Sequence, residues 1–397
     1  MNTKVEINKI LWSDYLLMFL FLCMCGNPVF VYLDFEYTYV LYAVVLFTVC
    51  ICKRKRIYNT KFLSWLLLFC FLFTLQYVSL DIVSIPADIN FMARLYTAFL
   101  ISSFFGLLFR EVYFNVIVAI SAISIVGFIF NGVLNINIGY EFERYRSILV
   151  YNQYIQMGES IRNSGMFWEP GAFQGFIMMV PVLFSNKLEY LWKYRKKSCI
   201  ILILAFISTK STAAYMTMAV YLVLRLMISS RVSNLYKVVI ISLFSLVLVY
   251  FVWGLDFMGE KIMAQLEDAK NVQQGDVSWD RFGAMRVDIY NIIRNPFIGN
   301  GFNQVSKYGI LAEYMSGAGN GLSSATNMLG IPCMILYFVG IYNNFSNYKS
   351  SLRIVILVVV SMLLFNEAFL NYSLFWALLF IRIPRDYEKN SSIINSL

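Results

Sequence analysis

About a dozen apolar stretches separated by polar gaps run the length of this chain, and its positive charge falls almost entirely in every second gap. Apolar segments of that length and number exceed what a water-soluble core can hide, whereas a bundle of helices crossing a bilayer requires them. Spans are expected at about 11–33, 36–52, 62–79, 91–109, 112–131, 167–185, 198–209, 212–230, 238–253, 322–342, 354–369 and 372–383. The first stretch lacks an A-x-A-like cleavage site and runs at once into the second, so it reads as a span and not as a cleaved signal peptide.

Composition agrees. Of 397 residues, 59% are hydrophobic and only 14% charged, against about a quarter charged in a soluble domain. The expected fold is therefore all-α, a single integral membrane domain over 1–397. An even number of spans puts both termini on one side. Placing them in the cytoplasm gives the inside segments 21 bases against six acids, a net +15, and leaves 11 bases against 17 acids outside, a net −6. Each inside loop then obeys the positive-inside rule. The basic balance is an orientation device, and no nucleic acid is needed to explain it. The seven cysteines sit in or beside apolar stretches and act as small hydrophobes. Cys23-Met-Cys25 and Cys50-Ile-Cys52 have metal-like spacing, but the chain holds no histidine to complete a site.

Two outside segments are long, 132–166 and 254–321, and long loops on one face of a bundle usually carry function. In the second, 258–267 and 279–293 place apolar residues at helical spacing, as short amphipathic helices over the outer mouth do. The stretch 198–209 is short: 12 residues reach roughly 18 Å, against a hydrocarbon core of about 30 Å. The turn Ser208-Thr209-Lys210-Ser211-Thr212 should then lie below the surface and line a cavity. A span starting near Trp192 is the alternative, opposed by the cluster Lys193–Lys197. Before span six stands Arg162-Asn-Ser-Gly-Met-Phe-Trp-Glu-Pro-Gly-Ala-Phe173. Pro170 suits the first helical turn and Glu169 its N-cap, so Glu169 reads either as a cap or as a site carboxylate beside Arg162.

Three segments together resemble the Wzy-type O-antigen polymerases and the related O-antigen ligases: Arg162 to Phe173, the turn Ser208 to Tyr215, and Arg294-Asn-Pro-Phe-Ile-Gly-Asn-Gly-Phe302. The resemblance covers roughly 90–345. Ligases of that superfamily carry a loop histidine thought to activate the acceptor hydroxyl. Here Asn320 stands near its place, and asparagine is no general base. The polymerase reading gains accordingly, although the Arg-x10-Gly motifs of some polymerase loops are absent.

The resemblance implies lipid-linked substrates, a donor glycan and an acceptor unit on undecaprenyl diphosphate, at the periplasmic face of the bacterial inner membrane. It implies no cofactor, and it leaves room for a chain-length regulator protein beside membrane lipids as partners. Such a reaction needs cations for the diphosphate and a base for the acceptor hydroxyl. The cation candidates are the 11 outside bases: Arg94, Arg144, Arg146, Arg162, Lys210, Lys261, Lys270, Arg281, Arg286, Arg294 and Lys307. Arg162 and Arg281 rank first as catalytic residues. Lys210, Arg286, Arg146 and Asn320 follow as substrate-binding residues. Glu169 leads as base, with Glu143 and Asp280 behind it. No metal is expected, because cationic side chains would take over its work. A ligase and a lipid-linked oligosaccharide flippase or other transporter remain the alternatives; a transporter usually shows internal repeats, and none is evident here.

Overall fold

A computed structural model describes residues 10–32, 38–132, 134–142, 145–155, 161–230, 232–240, 242–243, 281–308 and 320–384. The architecture is mostly helical. Two helical stretches, Thr60–Ser79 and Ile85–Gly132, are long and apolar enough to cross a membrane, and a bent pair, Gly321–Leu329 with Ile331–Asn344, is a third. Large apolar side chains such as Leu41, Leu67, Phe71 and Ile335 face outward. A helical membrane bundle exposes such residues to lipid, and a soluble one hides them.

The first helices are α1 (Trp12–Met24), α2 (Pro28–Tyr32), α3 (Thr38–Cys52), α4 (Thr60–Ser79), α5 (Ile85–Phe105) and α6 (Phe109–Gly132). Helices α1 and α3 are antiparallel, because the Tyr39 hydroxyl donates to the Met24 carbonyl and the Tyr42 hydroxyl to that of Leu17. Helix α5 runs with α3: Arg94 lies over the Tyr39 ring, and Cys50 reaches the Leu100 carbonyl. Helix α6 runs with α1, since Asn115 bonds Tyr15 while Asn27, past the other end of α1, bonds the loop that follows α6. The chain must therefore reverse between α5 and α6. It does so at Gly106, whose φ of 53° and ψ of −119° suit glycine. The expected turn lay near Arg110, four residues on. Arg110 instead begins α6, buried, its guanidinium on the Leu183 carbonyl and the Tyr348 hydroxyl.

Helix α7 (Pro170–Leu183) is the axis of the bundle, with every residue but Pro181 buried. Gly175 lets it approach Phe369, whose ring a Cβ would meet at 2.0 Å. Helices α8 (Leu188–Tyr194), α9 (Lys196–Ser208) and α10 (Thr212–Ile228) follow. Then come α11 (Arg281–Arg294), α12 (Gln304–Tyr308), α13 (Gly321–Leu329), α14 (Ile331–Asn344), α15 (Ser350–Asn366) and α16 (Ser373–Ala377).

Several expectations need correction. The fold is not purely helical, because the loop after α6 folds as an antiparallel meander of β1 (Tyr140–Phe142), β2 (Tyr145–Ile148) and β3 (Tyr151–Tyr154). The first apolar stretch is interrupted at Cys25–Asn27, where Gly26 has φ 108° and the buried Asn27 amide donates to the carbonyls of Leu149 and Met166. The stretch 322–342 is two helices bent by 118° at Gly330. The stretch 372–383 holds only the five-residue α16 and is mostly interior, with Arg382 exposed near its end. Its irregular backbone is satisfied by side chains of the preceding helices: Asn344 donates to the carbonyls of Leu378 and Ile381, and Tyr337 to that of Phe375. Buried backbone without such partners would be costly. Hydropathy alone could not separate these cases, because a buried irregular segment is as apolar as a span. Most of the expected span 238–253 and the expected helix at 258–267 lie outside the described residues.

Candidate functional site

The segment before α7 is stitched to the turn between α9 and α10. Asn163, fully buried, donates its backbone N–H to the Ser208 carbonyl at 3.1 Å. Its side-chain amide donates to the hydroxyls of Ser208 at 2.8 Å and Ser124 at 3.1 Å. Arg162 Nε donates to the Thr209 carbonyl at 3.4 Å. On the other side Asn152, also fully buried, donates its side-chain amide to the Phe167 carbonyl and its backbone N–H to that of Gly165. Gly165 has φ 61°, and a Cβ there would meet the Phe173 ring at 2.7 Å. Polar side chains thus supply the partners that the bare turn lacks.

This junction brings Arg162 to the turn that holds Lys210. Lys210 is exposed, holds a φ of 47° unusual for a side-chain-bearing residue, and sets its ammonium 6.0 Å from the Phe128 ring. Helix α9 has 13 residues, so the turn sits at the end of a helix about 20 Å long. Seven residues past Arg162, Glu169 occupies the N-cap of α7 in extended backbone, half-buried, and its side chain makes no capping bond. Next to it Trp168 stacks on Tyr372 at 4.7 Å and packs against Phe369. Arg94 approaches the same aromatic wall, its guanidinium 5.0 Å from the Tyr39 ring and its Nε buried without an acceptor.

The other candidates are placed differently. Arg146, in β2, pairs with Glu141 across the strands at 2.8 Å, the one ion pair within 4.0 Å among the described residues. Arg281 begins α11, Arg286 is half-buried in it, and Arg294 is exposed at its end. Asn320 caps α13: its carbonyl oxygen accepts the N–H groups of Leu322 and Ser323, while its buried Nδ2 has no partner. The Arg281 side chain, Glu143, Arg144, Lys261, Lys270 and Asp280 lie outside the described residues. Among the described residues, no three His, Cys, Asp or Glu side chains gather as metal ligands do.

The segment 295–301 has a role that its glycines only hinted at. It fills the break between α13 and α14. Asn300 and Gly301 donate backbone N–H groups to the carbonyls of Asn327 and Met328, and Ile331 donates to that of Pro296. A Cβ on Gly299 would meet the Met328 carbonyl oxygen at 2.5 Å, and one on Gly330 that of Phe297 at 2.4 Å. From α4 the buried Gln76 adds two bonds, to the carbonyls of Ile298 and Met328. The carbonyls that a bent helix would expose at its break are satisfied by protein.

Beside the break lies a cluster that motif reading missed. Asp288, fully buried in α11, accepts from Ser323 Oγ at 2.7 Å and Asn327 Nδ2 at 2.9 Å. Lys307, in α12, donates to Ser324 Oγ at 2.5 Å. Asn320, Ser323 and Asn327 share one helical stripe, three and four residues apart. That spacing inside an apolar stretch was the available signal. Comparison with protein-family models, curated proteins and solved structures found no match for this chain.

Proposed function

We propose that this protein polymerises undecaprenyl-diphosphate-linked oligosaccharide units into O-antigen or a related surface polysaccharide, at the periplasmic face of the bacterial inner membrane. In this reading about twelve apolar segments are arranged with both termini cytoplasmic and the loops 132–166 and 254–321 outside. The observation that carries it is the junction of Arg162 with the Thr209–Lys210 turn. Two segments that resemble the polymerase family meet through direct hydrogen bonds, Arg162 to Thr209 across 47 positions and Asn163 to Ser208 across 45.

The chemistry follows from these parts. Arg162 and Lys210, with Arg281 and Arg286 from α11, neutralise the donor's diphosphate as charge builds on the leaving oxygens. Glu169, uncommitted as a cap, takes the proton from the acceptor hydroxyl. Asn320 donates its free amide to substrate, and Arg146 binds the glycan side of the loop. The C–O bond to diphosphate breaks as the acceptor oxygen bonds the same sugar carbon, and the lipid diphosphate leaves as an anion without needing an acid. The glycosyltransferase so described needs no metal.

A second reading is a lipid-linked oligosaccharide transporter, favoured by the bent pair α13–α14, since broken helices often line transport paths. Against it, the break is occupied by 295–301 and Gln76. A deletion strain decides. Surface lipopolysaccharide bearing a single repeat unit supports the polymerase, whereas loss of all units at the outer face overturns it in favour of transport. Unchanged polymer attached to no lipid core would instead indicate a ligase.

A further inference from the structure

Two opposite charges are buried side by side in the second loop without touching. Asp288 is 0% and Lys307 6% exposed. Adjacent residues of α13 hold them: Lys307 donates to Ser324 Oγ, and Ser323 Oγ donates to Asp288. Ser323 and Asn327 complete the Asp288 carboxylate. The network extends through Asn300, which donates to Asn327 Oδ1 and to the Asn291 carbonyl and accepts from Asn295. The Ser323 and Asn327 bonds to Asp288 both cross from α11 to α13.

Such a pair is a poor source of stability. Burial works against both charges, pushing the Lys307 amine down to about 8 and the Asp288 carboxyl upward, with each partner only partly offsetting the effect on the other. Apolar residues of similar volume would often hold the same helices as firmly. What directional bonds add is register. Asp288 sits opposite Ser323 and Asn327, and further along α11 Asn291 connects through Asn300 to Asn327. The two helices therefore run in the same direction, and the start of α11 lies toward the Asn320 end of α13. Position 281 stands seven residues before Asp288, on the same helical stripe. A slip of one residue would turn that stripe by about 100°.

We propose that Asp288 and Lys307 are positioning residues that hold α11 at one rotation and height against α13, and so set where the arginine positions 281 and 286 fall relative to Asn320. The consequence for catalysis rests on the polymerase reading; the docking does not. The titratable groups facing the pair among the described residues are each other and Tyr308.

The test uses full-length protein in lipid nanodiscs, with three readouts: thermal unfolding, hydrogen exchange across 281–294, and polymerisation of lipid-linked repeat units. Asp288→Asn or Lys307→Met alone should lower the melting temperature and speed exchange across 281–294. The double variant Asp288→Leu/Lys307→Met should recover the melting temperature yet exchange faster than wild type across 281–294. Its kcat should drop about a hundredfold, as misplacement of a binding group does, with KM less affected. A double variant with wild-type exchange and wild-type kcat overturns the proposal and leaves the pair a packing feature. Should that variant fail to fold, Ser323→Ala removes one bond to Asp288 and should speed exchange about fivefold; unchanged exchange and rate there overturn the proposal equally. If wild-type protein makes no polymer from these units, the polymerase reading fails, while the exchange data still decide the docking.

Discussion

The Arg162–Lys210 junction and the Asp288–Lys307 network both join distant segments, and they do so in opposite electrostatic conditions. At the junction Arg162 is half-buried and donates to the Thr209 carbonyl, while Lys210 is exposed with its ammonium 6.0 Å from the Phe128 ring. In the network both charges are interior and their partners are fixed. Exposed cations retain charge at little cost and can exchange carbonyl or water partners for a phosphate. Interior charges have lost water already and can only hold what they hold. The contrast separates a surface suited to substrate from a device suited to holding helices.

The largest effect that would sharpen this contrast is expected at the junction. Arg162→Lys keeps the charge but loses the two-pronged contact, and Glu169→Gln keeps the shape but cannot take a proton. Each should cut polymerisation about a hundredfold or more at normal abundance. Wild-type chain lengths in either variant would remove that residue from the site.

Next in size is the helix break. Gly330→Ala places a Cβ 2.4 Å from the Phe297 carbonyl oxygen at a φ of 79°. Its cost should reach about 3 kcal/mol, from strain and displaced backbone together, readable as a drop in thermal stability. A stable Gly330→Ala protein would mean that the bend between α13 and α14 is not required. Gln76→Leu, which deletes two hydrogen bonds to the same break, should cost less, about 1–3 kcal/mol.

The network should also show a pH signature. Lys307 sits near 8 in the folded protein against an ordinary 10.5, so between those values the unfolded chain binds the extra proton. Stability from this group is present above 10.5 and is lost as pH falls through about 8. Thermal stability of wild type should therefore gain on alkaline titration relative to Lys307→Met; parallel curves would contradict the interior placement of the amine. The smallest effect is expected for Glu169→Ala on stability. Because its side chain makes no capping bond, the loss should fall below the ~1 kcal/mol typical of a used cap. A larger loss would return Glu169 to a structural role.

Some of the site was legible because its signals are local. Pro170 in the first turn and Glu169 before it mark the start of α7 by the chemistry of helix termini alone. The short α9 followed from counting residues between a lysine cluster and a Ser/Thr turn. The Arg281–Arg294 helix followed from apolar spacing. Asp288 and Lys307 carried no comparable mark. An aspartate in an amphipathic helix reads as solvated, and only the approach of Ser323 and Asn327 from another element shows otherwise. Gln76 was likewise one amide in an apolar run until its two carbonyl partners, more than 200 positions away, came into view.

The sequence by itself determined that the chain is a helical membrane protein and where most helices begin, because hydropathy, charge bias and capping chemistry act over a few residues or sum along the chain. Only the tertiary structure decided which apolar stretches are straight and which are broken. The interruptions at Cys25–Asn27, at Gly330 and around α16 each depend on polar side chains from elsewhere to satisfy the freed backbone. A backbone break inside an apolar interior is affordable only where such partners arrive, and their arrival is a property of packing that no local window contains.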